Sequence, residues 1–151
     1  VTAAPSPPHR DPRLLGLVAL GGAVGSGLRY AVAAALPGEA GTWPWATFAV
    51  NVVGAFLLGW LLEAIAMRGP ETFGLRRLRL FAGTGVLGGF TTYSSLALEA
   101  ERLAAHGSWP TALAYGAATL GVGTVAAMLG VAAGRSTPPS TLGRLLRGGT
   151  R

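Results

Sequence analysis

Four long apolar stretches dominate the chain, at residues 14–36, 45–67, 80–101 and 109–134. The first carries one charge, Arg29. The second is interrupted by Asn51 and, near its end, Glu63. The third is rich in glycine and threonine, and the fourth carries no charge. A bilayer core of about 30 Å needs about 20 apolar residues in a helix, and each stretch is long enough. A helix of a water-soluble bundle needs a polar stripe on its outer face. The fourth stretch offers only Thr111, Tyr115, Thr119 and Thr124. The pattern predicts an all-α membrane protein with four transmembrane helices in one domain (residues 14–134) and short loops. The first stretch is too long for a cleaved signal peptide, and its basic flank is preceded by a Pro-rich segment that does not suit a signal peptide's start. Residues 1–13 read as a flexible Pro-rich tail. Residues 135–151, with four arginines, read as a basic tail that touches anionic lipid.

Composition narrows the function. Hydrophobic residues make up 50% of the 151 and charged residues 12%, against about 25% charged in a soluble domain. With no Cys, disulfide scaffolds and thiolate metal sites are excluded. His9 falls in the tail and His106 in a loop, and no paired carboxylates appear, so an enzyme is not expected. The net charge of +6 comes entirely from arginine, since there is no lysine. Arg10, Arg13, Arg68, Arg76, Arg77, Arg79, Arg135, Arg144, Arg147 and Arg151 fall on one side of the expected topology, and Arg29 and Arg102 towards the other. The positive-inside rule then puts both termini and the middle loop in the cytoplasm of a plasma-membrane protein. No basic residue sits on a patterned aromatic platform, so nucleic acid is not an expected partner.

Polar groups within the apolar stretches are the functional candidates. Thr47 and Asn51 are four residues apart and share a helix face. Asn51 has an amide donor suited to an anion or to another helix's carbonyl. Residues Gly83 to Ser95 hold four glycines, three threonines and two serines within an apolar run. Glycine and β-branched threonine weaken a helix, so a break is expected here. Broken backbone at membrane depth is tolerated where it is buried in protein or lines a cavity. Its carbonyls suit a small hard cation such as Na⁺, and its N–H groups suit an anion. Glycines 21, 22, 25, 27, 54, 59, 116, 121, 123 and 130 are candidates for close helix packing. Four helices make a thin bundle, so a pore needs a second copy or a partner subunit.

Three segments together carry a family resemblance. They are Gly21-Gly22-Ala23-Val24-Gly25-Ser26-Gly27-Leu28-Arg29-Tyr30, the run from Trp43 to Phe56 around Asn51, and Gly85 to Ser95 followed by Glu99. In this order and in a chain of this size they resemble the Fluc, or CrcB, family of bacterial fluoride channels. The resemblance implies passive fluoride export through an antiparallel, dual-topology-type dimer with two narrow pores. It implies a structural, untransported Na⁺ at the dimer centre, held by the backbone carbonyls of Gly88 and Thr91. It implies a fluoride path along Asn51, Thr92, Tyr93 and Leu96, with Thr47, Tyr115 and Thr119 on a polar track and Arg29 near a vestibule. Fluoride is small and strongly hydrated, so amide and hydroxyl donors, aromatic edges and a fixed cation must replace its water.

The chain departs from the family pattern at Tyr93 and Leu96, where two Phe three residues apart are usual. Dual insertion also calls for little charge asymmetry, whereas the arginines here are strongly asymmetric. Both features fit a heterodimer with an oppositely oriented paralogue, in which this chain conducts jointly or serves as a non-conducting partner. A small multidrug-type transporter has a similar size, but it needs a carboxylate deep in the membrane. The first stretch has none, and Glu63 and Glu99 lie near the ends of theirs.

Overall fold

The computed structural model describes residues 11–39 and 41–138. The Pro-rich residues 1–10 and the basic residues 139–151 lie outside the described residues. Helix α1 (Pro12–Ala35) starts where the Asp11 carboxylate accepts a hydrogen bond from Arg13 N–H at 2.9 Å, with Pro12 in the first turn. Proline is suited to that position because it lacks the amide that would go unpaired there. Helix α2 (Trp45–Ala66) starts directly after Pro44, and α6 (Trp109–Arg135) has Pro110 in its first turn. These three helices are long and apolar enough to cross a membrane.

The third apolar stretch is a composite, and it starts earlier than its hydropathy indicates. Helix α3 (Phe73–Leu78) is capped by Thr72, whose hydroxyl accepts from Leu75 N–H at 3.3 Å. A π-helix (Arg79–Leu87), a single α-turn α4 (Gly88–Phe90), a break at Thr91 and Thr92, and helix α5 (Tyr93–Ala105) follow. The expected apolar stretch, residues 80–101, thus lies inside a longer composite that runs from Phe73 to Ala105. Arg76, Arg77 and Arg79 make residues 73–79 look like loop, but they project from helix. Leu75 anchors that helix in a cluster with Leu61, Ile65 and Leu87. Arg77 lies over the Phe73 ring, 5.8 Å from its centre. Arg79 pairs with Glu71 at 2.6 Å, and this hydrogen bond holds the Glu71 carboxyl below the usual carboxylate range.

The wide π turns reset the register of the chain, with Gly88 N–H reaching back five residues to Gly83 O. Short π segments are frequent at functional sites. Here the π-helix lies along α1 with backbone against backbone. A Cβ added to Gly21 would lie 2.9 Å from Gly85 Cα, and one added to Gly25 would lie 2.8 Å from Phe90 N. Gly89 sits in the same way on the backbone of Gly22. On the other side, α2 and α6 run parallel and meet through Gly59, Gly130 and Gly134. Their ends are tied by Trp60 Nε1 donating to Thr137 Oγ1 at 3.0 Å and by the Arg135–Glu63 pair at 3.0 Å. A Cβ added to Gly27, Gly116, Gly121 or Gly123 would meet nothing within 4 Å among the described residues.

Most large apolar side chains point outward. Leu113 is 70% exposed, Met128 66% and Leu120 65%, all on α6. Such a surface suits lipid or another protein rather than water. The chain is a multi-pass membrane protein.

The packing of α1 yields a prediction. At Gly25 the atoms that a side chain would meet belong to backbone, so α1 must move. Gly25→Leu should lower the unfolding midpoint in detergent by about 5 °C or more. Gly16→Leu, where nothing lies within 4 Å, should leave it nearly unchanged. Equal midpoints for the two variants would contradict the packing described.

Candidate functional site

The site forms around the break at Thr91 and Thr92. Both residues are extended, with φ −74° and ψ 155° at Thr91 and φ −150° and ψ 124° at Thr92. An extended residue within a helical run leaves backbone groups without helical partners, and α2 supplies the replacement. Asn51 Nδ2 donates to Thr92 O at 2.9 Å, and Thr92 N–H donates to Asn51 Oδ1 at 2.8 Å. One side-chain amide thus engages both polar groups of one peptide residue, as a neighbouring strand would. Gly54, one turn further along α2, makes room for the Thr91 methyl group.

This clasp redirects the helical ladder. In a continuous helix Thr92 N–H would bond Gly88 O, but here it bonds Asn51. Ser95 N–H would bond Thr91 O, but it donates to Thr92 Oγ1 at 3.2 Å, which caps α5. The carbonyls of Gly88 and Thr91 therefore lose the donors that an unbroken helix would give them. These are the two carbonyls to which the resemblance assigns a cation. Among the described residues no group of three or more His, Cys, Asp or Glu could hold a metal. A cation at this place would depend on backbone oxygen, and these two oxygens fit a small hard ion.

A second polar cluster lies further along α5. The Glu99 carboxylate accepts from Thr47 Oγ1 at 2.7 Å and from Tyr115 OH at 2.6 Å. Tyr115 is fully buried, and Thr47 and Thr119 are nearly so. The Trp43 ring meets the Tyr115 ring edge-on at 5.4 Å and the Phe48 ring at 5.7 Å. Glu99 is the residue that the sequence alone undervalued, since it lies near the end of an apolar stretch. It follows Thr92 by seven residues, or two helical turns, and so shares a face with it. Thr47 and Asn51 are spaced one turn apart on α2, so that pair meets both ends of this α5 face.

Two cavities flank these clusters. A vestibule of about 500 Å³ is lined by Thr42, Trp45, Thr47, Glu99, Arg102 and His106, among others. A more open groove of about 400 Å³ lies between α2, the break and α6, and includes Asn51, Thr91, Thr92, Tyr93, Leu96 and Thr119. Tyr115 packs in one cluster with Leu96 of the groove and Leu103 of the vestibule. Tyr93 is 78% exposed, whereas Leu96 is buried. Arg29 lines neither cavity.

Hydroxyl chemistry in the groove is largely committed. Thr91 Oγ1 donates to Leu87 O at 3.0 Å, Thr119 Oγ1 to Tyr115 O at 2.7 Å, and Thr124 Oγ1 to Leu120 O at 2.7 Å. A hydroxyl whose proton is used in this way presents lone pairs, which repel an anion. An Asn amide carries two N–H bonds. Thr92 O accepts one from Asn51, and among the described residues the other has no partner.

Comparison with known proteins shows what the chain is similar to over most of its length. Residues 16–131 match the family described as "CrcB-like protein, Camphor Resistance (CrcB)". The chain is 46% identical over 128 residues to the fluoride-specific ion channel FluC 2 of Leifsonia xyli subsp. xyli, covering 85% of this chain and 88% of that one. It is 44% identical over 126 residues to the fluoride-specific ion channel FluC 1 of Cutibacterium acnes, covering 83% and 88%. It is 45% identical over 123 residues to the fluoride-specific ion channel FluC of Agrobacterium fabrum, covering 81% and 96%.

The clasp makes its own prediction. Asn51→Ala should raise hydrogen–deuterium exchange at the Thr92 amide about tenfold or more, as expected for the loss of a buried hydrogen bond. Asn51→Asp, whose carboxylate still accepts from Thr92 N–H but cannot donate to Thr92 O, should raise it less than Asn51→Ala. Exchange at wild-type rates in both variants would show that the break is held by something else.

Proposed function

The chain belongs to the CrcB family, and on that premise we propose that it is a fluoride channel, passing the ion passively out of the cytoplasm and lowering its toxicity. The observation that carries this reading is the Asn51–Thr92 clasp. It interrupts a membrane helix at a fixed point and leaves two carbonyls and an amide N–H at one junction. In this reading the composite of α3, the π-helix, α4 and α5 is the third of four membrane crossings. The free N–H of Asn51 replaces part of the hydration of fluoride. The exposed edge of Tyr93 supplies a further positive rim. The carbonyls of Gly88 and Thr91 would hold a Na⁺ ion, which adds a fixed favourable potential for an anion.

The path needs a second subunit. The groove at the break is open to the outside, and the small residues Gly116, Gly121 and Gly123 of α6 are uncovered. An antiparallel partner would close it. Ten of the twelve arginines lie on one side of the proposed topology, which favours both termini in the cytoplasm. Leu96, without an aromatic edge, is buried at the position where the family pattern has Phe. These two features favour an oppositely oriented paralogue over a second copy, with this chain contributing half of each path or acting as the non-conducting partner. Exchange of a proton for a cationic drug is disfavoured, because both Glu99 oxygens are occupied by Thr47 and Tyr115.

Liposomes holding the chain alone, and the chain with its paralogue, should separate these readings. Fluoride efflux, read with an electrode, is expected from the paired assembly, with chloride retained. Replacing Na⁺ by N-methylglucamine throughout purification should reduce the flux at least severalfold. Fluoride flux from neither assembly would overturn the proposal.

A further inference from the structure

One buried donor is left over from the functional cluster. Trp43 Nε1 is shielded from solvent and has no hydrogen-bond partner among the described residues. Buried polar groups are nearly always paired, because an unpaired one costs about 1–3 kcal/mol. An exception therefore points to a partner outside the described residues. Indole N–H donates and cannot accept, so the missing partner is an acceptor.

Its surroundings narrow the identity of that acceptor. Trp43 follows Thr42 and precedes Pro44 and Trp45, all three of which line the vestibule. Its ring stands edge-on to Tyr115, whose hydroxyl is already spent on Glu99. It is also in ring contact with Phe48 and Trp45, at 5.7 and 5.8 Å. Arg102 and His106 of the same vestibule carry basic groups. The neighbouring Thr47 hydroxyl, the other donor at this level, has its proton on Glu99. The indole N–H is thus an uncommitted donor on a ring that packs against Tyr115, between residues that line the vestibule.

We propose that the Trp43 indole N–H is a ligand for a small hard anion, holding it between the vestibule and the Thr47–Glu99–Tyr115 cluster. This rests on the fluoride reading above and adds a recognition residue on the vestibule side of the path, distinct from Asn51 at the break. The ion exchanges hydration for an indole donor and the aromatic edges around it, without forming a covalent bond. A larger, softer anion such as chloride gains less from a single buried donor.

The test uses the full chain, alone and paired with its paralogue, with fluoride and chloride as the probes. The chain has four tryptophans, and the Trp43 indole ¹H–¹⁵N resonance is assigned by its loss in Trp43→Phe. Fluoride should move that resonance, while equal chloride should not. In flux measurements Trp43→Phe should raise the fluoride concentration for half-maximal flux about tenfold, the size expected from losing one hydrogen bond to a charged group. Trp43→His, which retains a ring N–H, should restore part of it. An unmoved resonance, or an equal response to chloride, would overturn the inference and leave a buried water as the partner. If Trp43→Phe fails to fold, the same resonance is assigned by elimination with Trp45→Phe, Trp60→Phe and Trp109→Phe, so the wild-type readout still decides the matter. Wild-type fluoride flux with an unmoved resonance sinks this inference alone, whereas absent flux in both assemblies sinks the channel reading.

Discussion

The side-chain amide of Asn51 and the backbone of Thr92 hold each other through two hydrogen bonds, and the rest of the site depends on that exchange. At membrane depth an unpaired backbone group costs several kcal/mol, because no water is present to satisfy it. A broken helix survives there only if something replaces the lost bonds. Asn51 does so at both polar groups of one residue. A consequence follows one turn back, since the amide that Gly88 O would have used is now engaged elsewhere. The break is therefore a device that frees helix carbonyls from their helical donors.

The device works because neighbouring backbone is held very close. Gly25 and Gly85 bring α1 against the π-helix, and Gly54 admits the methyl group of Thr91. A side chain at Gly54 would meet Thr91 and push the break away from α2, and one at Gly25 or Gly85 would meet backbone across the contact of α1 with the π-helix. The π-helix contributes by resetting the register over Arg79–Leu87, which places Gly88–Phe90 against α1 and Thr91 against α2. Further along α5 the same face carries Glu99, whose two oxygens are bound by Thr47 and Tyr115. Polar groups from α2, α5 and α6 thus converge on one line between the two cavities.

Much of this was legible in the sequence, and what was not has physical reasons. Three long helices follow from apolar length alone, and the structure shows them starting beside Asp11, Pro44 and Pro110. The weak point in the third stretch was visible in its glycines and threonines. Its true start was not, because Arg76, Arg77 and Arg79 hide a helix anchored by one leucine, Leu75. The π-helix was not legible, since π turns have no composition of their own. Thr47 and Asn51 were placed correctly on one face, but their partners depend on how α2 docks against α5. Glu99 shows the same limit. A carboxylate near the end of an apolar run looks solvated until the tyrosine that binds it arrives from a helix sixteen residues away.

The account stands on whether the helix is broken at Thr91–Thr92 with Asn51 closing the gap. An experimental density map of the assembled protein in a lipid bilayer tests this most directly. It should show Asn51 within hydrogen-bond distance of both Thr92 N and O, and protein or ion density against the Gly88 and Thr91 carbonyls. A continuous α-helix through these residues, with lipid chains lying along it, would contradict the account.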